Sequence, residues 1–249
     1  MIFSQIWRVA LIVVMLGGGV WAAVSGHLMI GLAMHGAMVG FLLAGTLNPA
    51  SKLFGKVRTY GGKGIWLTLD DGPDPETTPA VLDLLDAHGA KATFFLIGER
   101  AAKYPELVRE IHRRGHGIGN HSWSHPRAIF WCLGPLRTWR EISRCQQVLT
   151  EITGEAPQWF RAPVGHYNFF VHPVLKQEGL GLLSWSSRGF DGGGLPLEDV
   201  KRRIRETADE GGIVLAHEGT PYAVEVVADV LALAQERGWE CVIPDASPR

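Results

Sequence analysis

The first fifty residues form an almost unbroken apolar tract. No lysine, arginine, aspartate or glutamate lies between Arg8 and Lys52. A helix needs about 20 apolar residues to span a membrane, so this tract is long enough for two spans. The pattern predicts helices over residues 6–23 and 28–47 with a short turn between them. Residues 1–50 would then be a membrane anchor, a transmembrane helical hairpin.

A secretory signal would produce a similar apolar pattern. Arg8 would then be its basic flank, cleavage would fall near residues 23–25, and the second apolar segment would be a buried helix. In the hairpin interpretation, basic residues flank the outer ends of the tract, whereas the turn carries only a histidine. The positive-inside tendency then favours the cytoplasm for both termini and for the soluble domain. The predicted localisation is the membrane, with attachment through the N-terminal segments.

Beyond a glycine-containing linker at residues 51–63, short apolar runs alternate with amphipathic segments. This order is typical of βαβ units, in which helices cover a parallel sheet. The predicted fold class is α/β, a distorted (β/α) barrel of about seven repeats, with one catalytic domain over residues 64–249. The predicted strands are 65–69, 92–97, 159–160, 182–185, 213–216 and 239–243, with another near 115–119, and the predicted helices are 78–88, 105–114, 136–152, 173–178, 197–209 and 222–237.

Charge and cysteine content narrow the range of functions. The 24 lysines and arginines nearly balance the 25 aspartates and glutamates, which gives a formal net charge of -1. A nucleic-acid-binding surface would require a basic excess, so we predict no nucleic-acid partner. The three cysteines, Cys132, Cys145 and Cys241, are widely spaced and form no Cys-x-x-Cys motif, so we expect them to be packing residues.

An acidic doublet ends the first predicted strand of the barrel. The stretch LDDGP places Asp70 and Asp71 side by side, after an apolar run and before a Gly-Pro break. Two adjacent like charges cost free energy unless a cation or a proton gives them different roles. Because (β/α) barrels carry their chemistry at the carboxyl ends of strands, the doublet is a candidate catalytic pair. The structural alternative is an Asx-type turn in which one aspartate caps the next helix.

Two histidines offer a partner for the doublet. His121 and His125 are four residues apart and follow the glycine-rich segment where a strand is expected. From one helical turn, their neutral imidazoles could face a single ion of Zn, Co, Ni or Fe. Together with Asp71 they would form an open three-ligand site, as used in metal-assisted hydrolysis. Asp70 would remain free to act as a base.

Four short stretches occur in a fixed order along the barrel: TLDDGP at 68–73, HSWSH at 121–125, RAPVG at 161–165 and LAH at 215–217. In this order they resemble the motifs of the polysaccharide deacetylases (NodB-homology domain, carbohydrate esterase family 4). The resemblance runs from about residue 65 to residue 243 and implies a NodB-like form of the barrel. Leu69 replaces the phenylalanine of the first motif, and Val164 replaces the aromatic residue of the third.

The resemblance implies a role for each matched residue. Asp71, His121 and His125 would hold one divalent ion, Zn, Co or Ni, that activates a water for attack. Asp70 would take the proton of that water as general base. Arg161 would pair with Asp70, and the Val164 N–H would bind the oxyanion. Leu215 would contact the acetyl methyl group. His217 would protonate the departing amine, and Asp191 would pair with His217.

The fourth motif departs from the family pattern. The family often has D-x-x-D-W there, whereas this chain has Arg188 at the first acid, Asp191 at the second and Gly192 at the tryptophan. The wall on which sugar rings usually stack therefore differs. Without the family pattern, Arg161 would be interpreted as a surface charge and His217 as a packed core histidine.

The function implied by the resemblance is that of a metal-dependent hydrolase acting on carbon–nitrogen bonds other than peptide bonds. It would remove an N-acetyl group from an amino sugar in a polysaccharide or a lipid-linked glycan. The expected partners are such a glycan and the membrane lipid bilayer of the cell envelope. Two alternatives stay open: a deacylase of another amide or of an O-acetyl ester, and a non-catalytic glycan-binding pseudoenzyme, which would have no use for both a base and an acid.

An unusually apolar segment follows the second histidine. Residues 127–136 include Ile129, Phe130 and Trp131. One interpretation is a loop that folds back into the core, since phenylalanine and tryptophan are often buried. The other is a flap that touches lipid or a lipid-linked glycan, as would suit a membrane-tethered enzyme.

Overall fold

Two helices precede the barrel in the structure, a computed structural model that describes residues 14–244. They are α1 (Val14–Val24) and α2 (Leu28–Leu47). The helices run antiparallel in close contact, and a Cβ added at Gly31 would lie 2.7 Å from the carbonyl oxygen of Gly19. Only the missing side chain of Gly31 permits this approach of the two backbones.

Within residues 14–244, α2 is the one helix long and apolar enough to cross a membrane. Only 17% of its most apolar window is buried, so its side chains are not those of a core helix in this structure. A membrane anchor and a signal sequence both meet this criterion of length and composition. The described part of α1 is shorter than a span, and residues 6–13 of the first predicted helix lie outside the described residues. The helical hairpin therefore stays a prediction.

One parallel sheet of eight strands forms the centre of the fold. The strands are β1 (Val57–Arg58), β2 (Trp66–Gly72), β3 (Ala92–Leu96), β4 (Gly117–Asn120), β5 (Trp159–Phe160), β6 (Gly181–Leu183), β7 (Ser187–Arg188) and β8 (Ile213–His217). Their spatial order is β1-β6-β5-β4-β3-β2-β8-β7, and each neighbouring pair is parallel. The predicted α/β class is confirmed. However, β1 and β7 are edges, so the sheet is a curled half-barrel and not a closed ring of repeats.

Helices cover the outer face of this sheet. They are α3 (Thr77–Ala87), α4 (Gly98–Lys103), α5 (Pro105–Arg113), α6 (Pro135–Thr153), α7 (Val171–Gln177), α8 (Leu197–Thr207) and α9 (Ala223–Arg237). The predicted helices agree with these bounds within a few residues, but α4, β1 and β7 were not predicted. The expected last strand, 239–243, is reduced to a single bridge between Ile65 and Cys241. Elements this short carry too few residues for a periodic pattern.

The side chains of β2 alternate between an apolar outer layer and the inner face of the sheet, where Thr68 and Asp70 lie. Leu67 and Leu69 belong to the main apolar cluster, which includes residues of α3 and α9. Thr68 and Asp70 point to the opposite face, because successive side chains of a strand alternate. Trp66 lies on that inner face, in a smaller cluster with Phe95, Trp159, Leu183 and Ile213. The carboxylate of Asp70 is thus directed into the barrel by the period of the strand.

The apolar segment 127–136 folds partly into a second apolar cluster. Phe130 is fully buried there and packs at a ring-centroid distance of 5.9 Å from Phe160. Ile129 is exposed, and Trp131 is half-buried. The core interpretation therefore holds for Phe130 and not for its neighbours. Cys132 in the same segment is also exposed, which corrects the expectation that all three cysteines pack inside, while the other two are buried.

Replacing Phe130 by alanine should destabilise the barrel strongly. The large cavity left by a buried phenylalanine costs about 3–5 kcal/mol. Urea unfolding of the Phe130→Ala protein should show this loss, whereas Ile129→Ala, at an exposed neighbouring position, should change the free energy of unfolding by about 0.5 kcal/mol or less. Equal, small effects of both substitutions would contradict the burial of Phe130.

Candidate metal and catalytic centre

A break in strand alternation brings both carboxylates of the doublet to one place. Asp70 follows the inward alternation of β2, so Asp71 would normally face the opposite side of the sheet. Asp71 instead has a φ of 71°, and the register of β2 against β3 shifts between Asp70 and Gly72. This left-handed residue turns the second carboxylate toward the carboxyl edge of the sheet. The Asx-type turn belongs to Asp74, whose Oδ1 accepts hydrogen bonds from the N–H groups of Glu76 and Thr77.

His121 and His125 approach each other from a tight loop, not from a helical turn. The loop follows β4, and Ser122 and His125 have φ values of 67° and 49°. Asn120 Oδ1 accepts a hydrogen bond from Ser122 N at 3.0 Å, and Ser122 Oγ accepts one from His125 N at 3.2 Å. These local bonds replace helical ones and hold the ring centroids of the two histidines 4.8 Å apart. The expectation of a helical turn was wrong, although the two side chains meet as predicted.

Asp71, His121 and His125 form a cluster that fits a divalent metal ion. Asp71 Oδ1 lies 3.3 Å from His121 Nε2 and 3.2 Å from His125 Nε2. Ligand atoms of the three residues all lie within 4.8 Å of one another, and Asp71 Oδ1 is buried without a hydrogen-bond partner. His121 Nδ1 donates to the carbonyl oxygen of Arg161 at 2.9 Å, so the neutral ring directs the lone pair of Nε2 at the carboxylate. Two lone pairs that face each other repel unless a proton or a metal ion lies between them.

The protonation states of the cluster favour ligation. Burial opposes ionisation of Asp71, but the nearby rings of His121 and His125 lower its pKa below the usual carboxyl range. Burial, followed by the charge of His121, lowers the pKa of His125 to about 4, so this ring is neutral at pH 7. Although burial acts in the opposite direction, Asp70 and Asp71 raise the pKa of His121. Metal binding would favour the neutral form of His121, because a ligand imidazole must be deprotonated.

Arg161 is the counter-ion of Asp70. Its Nη1 donates to Asp70 Oδ1 at 2.7 Å and to Thr68 Oγ1 at 2.8 Å, and its Nη2 donates to Ser184 O at 3.0 Å. The guanidinium also lies 4.3 Å from the ring centroid of Phe95. Arg161 is buried, which excludes its interpretation as a surface charge. The carboxylate of Asp70 is therefore paired and fixed separately from that of Asp71.

His217 and Asp191 form a second pair on the neighbouring strand. The register of β2 and β8 places Asp70 opposite His217. Asp191 Oδ1 lies 2.8 Å from His217 Nδ1, and its Oδ2 accepts a hydrogen bond from His217 N at 2.7 Å. Burial favours the neutral ring, but the hydrogen bond and charge of Asp191 outweigh it and raise the pKa of His217 to about 9. His217 is half-buried, so it is not a packed core histidine.

The two predicted substrate residues lie on segments that also carry residues of the centre. Val164 lies in the turn Pro163–Gly165 after β5, with a φ of 50° and an exposed side chain. Leu215 is buried on β8, two residues before His217 and hence on the same face of the strand. Arg188, at the altered position of the fourth motif, has its guanidinium 3.9 Å from the ring centroid of Phe190. A Cβ at Gly192 would lie 3.7 Å from His217, so the position that lacks the tryptophan of the family lies beside the ring of His217.

Sequence reasoning missed a buried carboxyl group behind the doublet. Glu218 Oε1 accepts a hydrogen bond from Thr78 Oγ1, and Glu218 N donates to Asp70 O at 2.9 Å. The side chain packs against Gly72, where a Cβ would have no room, and burial raises its pKa to about 8. Arg100 Nη1 donates to the carbonyl oxygen of Asp71 at 2.7 Å. These contacts fix the backbone that carries Asp70 and Asp71. No local sequence pattern predicts pairings between residues so distant in sequence.

Comparison with known proteins agrees with this geometry. The family description "Polysaccharide deacetylase" matches residues 58–182. The chain is 37% identical over 164 residues to a chitooligosaccharide deacetylase of Azorhizobium caulinodans, covering 66% of this chain and 77% of that protein. It is 34% identical over 158 residues to a peptidoglycan-N-acetylglucosamine deacetylase of Bacillus cereus, covering 64% of this chain and 57% of that protein. A solved structure of a peptidoglycan N-acetylglucosamine deacetylase superposes with a TM-score of 0.70 at 28% identity, covering 78% of this chain and 94% of that one.

The chain therefore belongs to the polysaccharide deacetylase family. The matches confirm the resemblance inferred from the four motifs and, at the level of the family, the predicted class of hydrolase. The chain spans little more than half the length of the Bacillus cereus relative and 38% of the length of a Listeria monocytogenes relative.

Replacing Asp191 by asparagine should move the alkaline limb of the pH–activity profile. The carboxylate keeps His217 protonated to higher pH, so its loss should shift the limb to lower pH by about one unit. Deacetylation rates measured across the pH range for Asp191→Asn and for Asp199→Asn, an exposed control on α8, provide the measurement. An unchanged limb in Asp191→Asn would contradict the pairing.

Two substitutions of Glu218 test whether its hydrogen bond to Thr78 positions the centre. Glu218→Gln keeps the acceptor for Thr78 and should retain most activity, whereas Glu218→Ala should lower kcat or metal affinity about 10-fold or more, as for other residues that orient ligands. Metal titration and steady-state kinetics of both variants test this. Equal activity of the alanine variant and the unmodified protein would show that Glu218 positions nothing.

Proposed function

We propose that this chain is a membrane-anchored, metal-dependent deacetylase that removes an N-acetyl group from an amino sugar of a polysaccharide or a lipid-linked glycan. One observation carries the proposal: the two adjacent carboxylates have different partners. Asp71 faces two imidazoles, whereas Asp70 is paired with a buried guanidinium. This division gives a ligand and a base from one doublet.

Three residues would hold the metal ion and one would act as base. Asp71, His121 and His125 offer one carboxylate and two imidazoles, a donor set that suits Zn, Co or Ni. The ion supplies Lewis acidity, which polarises the acetamide carbonyl and lowers the pKa of water. Asp70 accepts the proton from the attacking water, and the buried guanidinium of Arg161 pairs with its carboxylate and orients it.

The opposite side of the centre serves the leaving group. The Val164 N–H donates a hydrogen bond to the oxygen that becomes negative in the transition state. His217 gives its proton to the sugar nitrogen as the carbon–nitrogen bond breaks, and Asp191 holds the ring in the required tautomer. Leu215 lines the pocket for the acetyl methyl group. Water thus provides the hydroxyl of the released acetate, and the amine leaves protonated.

An amino sugar is the substrate class that the relatives favour, since they are named for peptidoglycan and chitooligosaccharide. The departure at Arg188 and Gly192 changes the wall beside His217, so a long polymer has fewer stacking partners here. A deacylase of another amide or ester keeps the same residues. A glycan-binding pseudoenzyme is disfavoured by the simultaneous presence of the base, the acid and their counter-charges.

Contacts between α2 and the centre favour a lipid-linked substrate. The carbonyl oxygen of Thr46, in the last turn of α2, accepts a hydrogen bond from Tyr167 N at 3.3 Å. A Cβ at Gly165, beside the oxyanion residue Val164, would lie 2.8 Å from Pro49 Cγ. With residues 1–50 as anchor, 51–63 as linker and 64–249 as catalytic domain, the site would open near the membrane, on the cytoplasmic side that the basic flanks favour.

Two substitutions in the doublet test the assignment. Asp71→Ala should lose both bound metal and turnover, because it removes a ligand, whereas Asp70→Asn should keep the metal and lose turnover, because it removes only the base. Metal content by mass spectrometry and acetate release from the purified full chain are the measurements. Retained metal in Asp71→Ala would contradict the ligand set.

The substrate is identified with the same assay. Acetate release is compared among a lipid-linked N-acetyl sugar, peptidoglycan and chitooligosaccharide, each with and without a chelator. We expect chelator-sensitive release that is fastest from the lipid-linked sugar. Faster turnover of a polymer would contradict the lipid-linked substrate but not the chemistry, and release insensitive to chelator would contradict the chemistry.

A further inference from the structure

The exposed apolar side chains of the barrel gather on its catalytic face. In a parallel α/β barrel, the loops after the strands and the first turns of the following helices share the face that carries the chemistry. Of the seven large apolar side chains exposed between residues 49 and 244, six lie on such segments, and only Tyr60 does not. The six are Ile129, Leu136, Trp139, Val164, Phe169 and Phe190.

The start of α6 combines two of these apolar groups with three arginines. Arg137, Arg140 and Arg144 recur at spacings of three and four residues, so they share the exposed side of the helix. Within residues 14–244, none of the three forms an ion pair with a carboxylate. On other helices, exposed arginines such as Arg109 and Arg202 are paired with neighbouring acids. The positive charge of α6 is thus available to an external partner.

A groove lies along these arginines beside the loop of the metal ligands. Its volume is about 430 Å³, and its wall includes Trp123, Trp139 and the three arginines of α6. The guanidinium of Arg144 stacks 3.6 Å from the ring centroid of Trp123, which lies between the two histidines in sequence. The acidic residue of the wall, Glu141, is held by hydrogen bonds from Ser124 N and Oγ. The groove therefore offers guanidinium groups and indole rings, a combination suited to phosphate next to acyl chains.

The same face adjoins the C-terminal end of α2. Leu42 of α2 packs against the apolar cluster that contains Phe130 and Leu133, directly before α6. Asn168 Nδ2 donates to the carbonyl oxygen of Leu133 at 3.0 Å and links this segment to the loop of the exposed Phe169. If α2 spans a bilayer, its last turn lies at the level of the headgroups. Ile129, Leu136 and the groove then lie beside that level.

We infer that the α6 face, defined as Ile129, Leu136, Trp139, Arg137, Arg140 and Arg144, docks on the anionic headgroup layer of the bilayer that α2 crosses. The inference rests on the proposed membrane attachment. The apolar side chains enter the interface, as aromatic and aliphatic residues do at membrane surfaces, and the arginines bind lipid phosphates. Docking turns the catalytic face toward the membrane surface, where a lipid-linked sugar is presented.

Cys132 provides a position for a reporter on this face. It is exposed, whereas Cys145 and Cys241 are buried, so a polarity-sensitive maleimide dye on the full chain labels Cys132 selectively. The labelled protein is placed in nanodiscs of phosphatidylcholine, with or without added phosphatidylglycerol. We expect a blue shift of the emission in the anionic discs only. The triple variant R137Q/R140Q/R144Q should lose this shift, and the control R109Q/R113Q/R202Q, which removes the same charge from paired arginines, should keep it.

Three results would overturn the inference. Identical emission in both kinds of disc, or an unchanged shift in R137Q/R140Q/R144Q, would show that the α6 face does not bind anionic lipid. Loss of the shift in the control as well would assign it to net charge alone. Flotation of the full chain with vesicles separates the two proposals: flotation without a lipid-dependent shift removes docking only, and failure to float removes the membrane attachment and docking together.

Discussion

Two negative charges at the end of β2 require two different cations. Asp70 is buried against Arg161, and removal of one partner from such a pair typically costs about 3–5 kcal/mol because a charge is left buried alone. Arg161, which follows β5, also donates to Thr68 on β2 and to Ser184 after β6, so the pair links strands that are not all adjacent in the sheet. Asp71 has no comparable side-chain cation within the described residues. In the proposed centre, a divalent ion between Asp71 and the two histidines supplies this positive charge.

The sheet places the other reacting groups around this charge arrangement. Because β2 pairs with β8, His217 lies beside Asp70 although the two residues are far apart in the sequence. Asp191 and Glu218 then fix the ring and the backbone on either side of the strand end. The proposed base and the proposed acid therefore lie on adjacent strands, Asp70 paired with a guanidinium and His217 with a carboxylate. Arg161 pairs with the carboxylate of Asp70. Burial lowers the pKa of His217, but Asp191 outweighs it and raises that pKa, which suits the proposed role of general acid.

The features that sequence could predict are those with a local or motif signature. Apolar runs predicted the buried strands, because the period of a strand and the burial of its outer face are encoded in consecutive residues. The four motifs predicted Asp70, Asp71, His121, His125, Arg161 and His217 as neighbours, which the structure brings together. The left-handed residues Ser122 and His125 were mistaken for part of a helical turn, because an H-x-x-x-H spacing does not specify backbone conformation. Glu218 and Thr78 had no signature, since they are 140 residues apart and pair only after the sheet has formed.

Anomalous X-ray scattering from crystals grown with zinc or cobalt tests the central claim most directly. A single anomalous peak is expected at about 2.0–2.2 Å from Asp71 Oδ1, His121 Nε2 and His125 Nε2, with Asp70 still bonded to Arg161. A peak that lies on Asp70, or no peak in the presence of either metal, would contradict the division of roles between the two carboxylates.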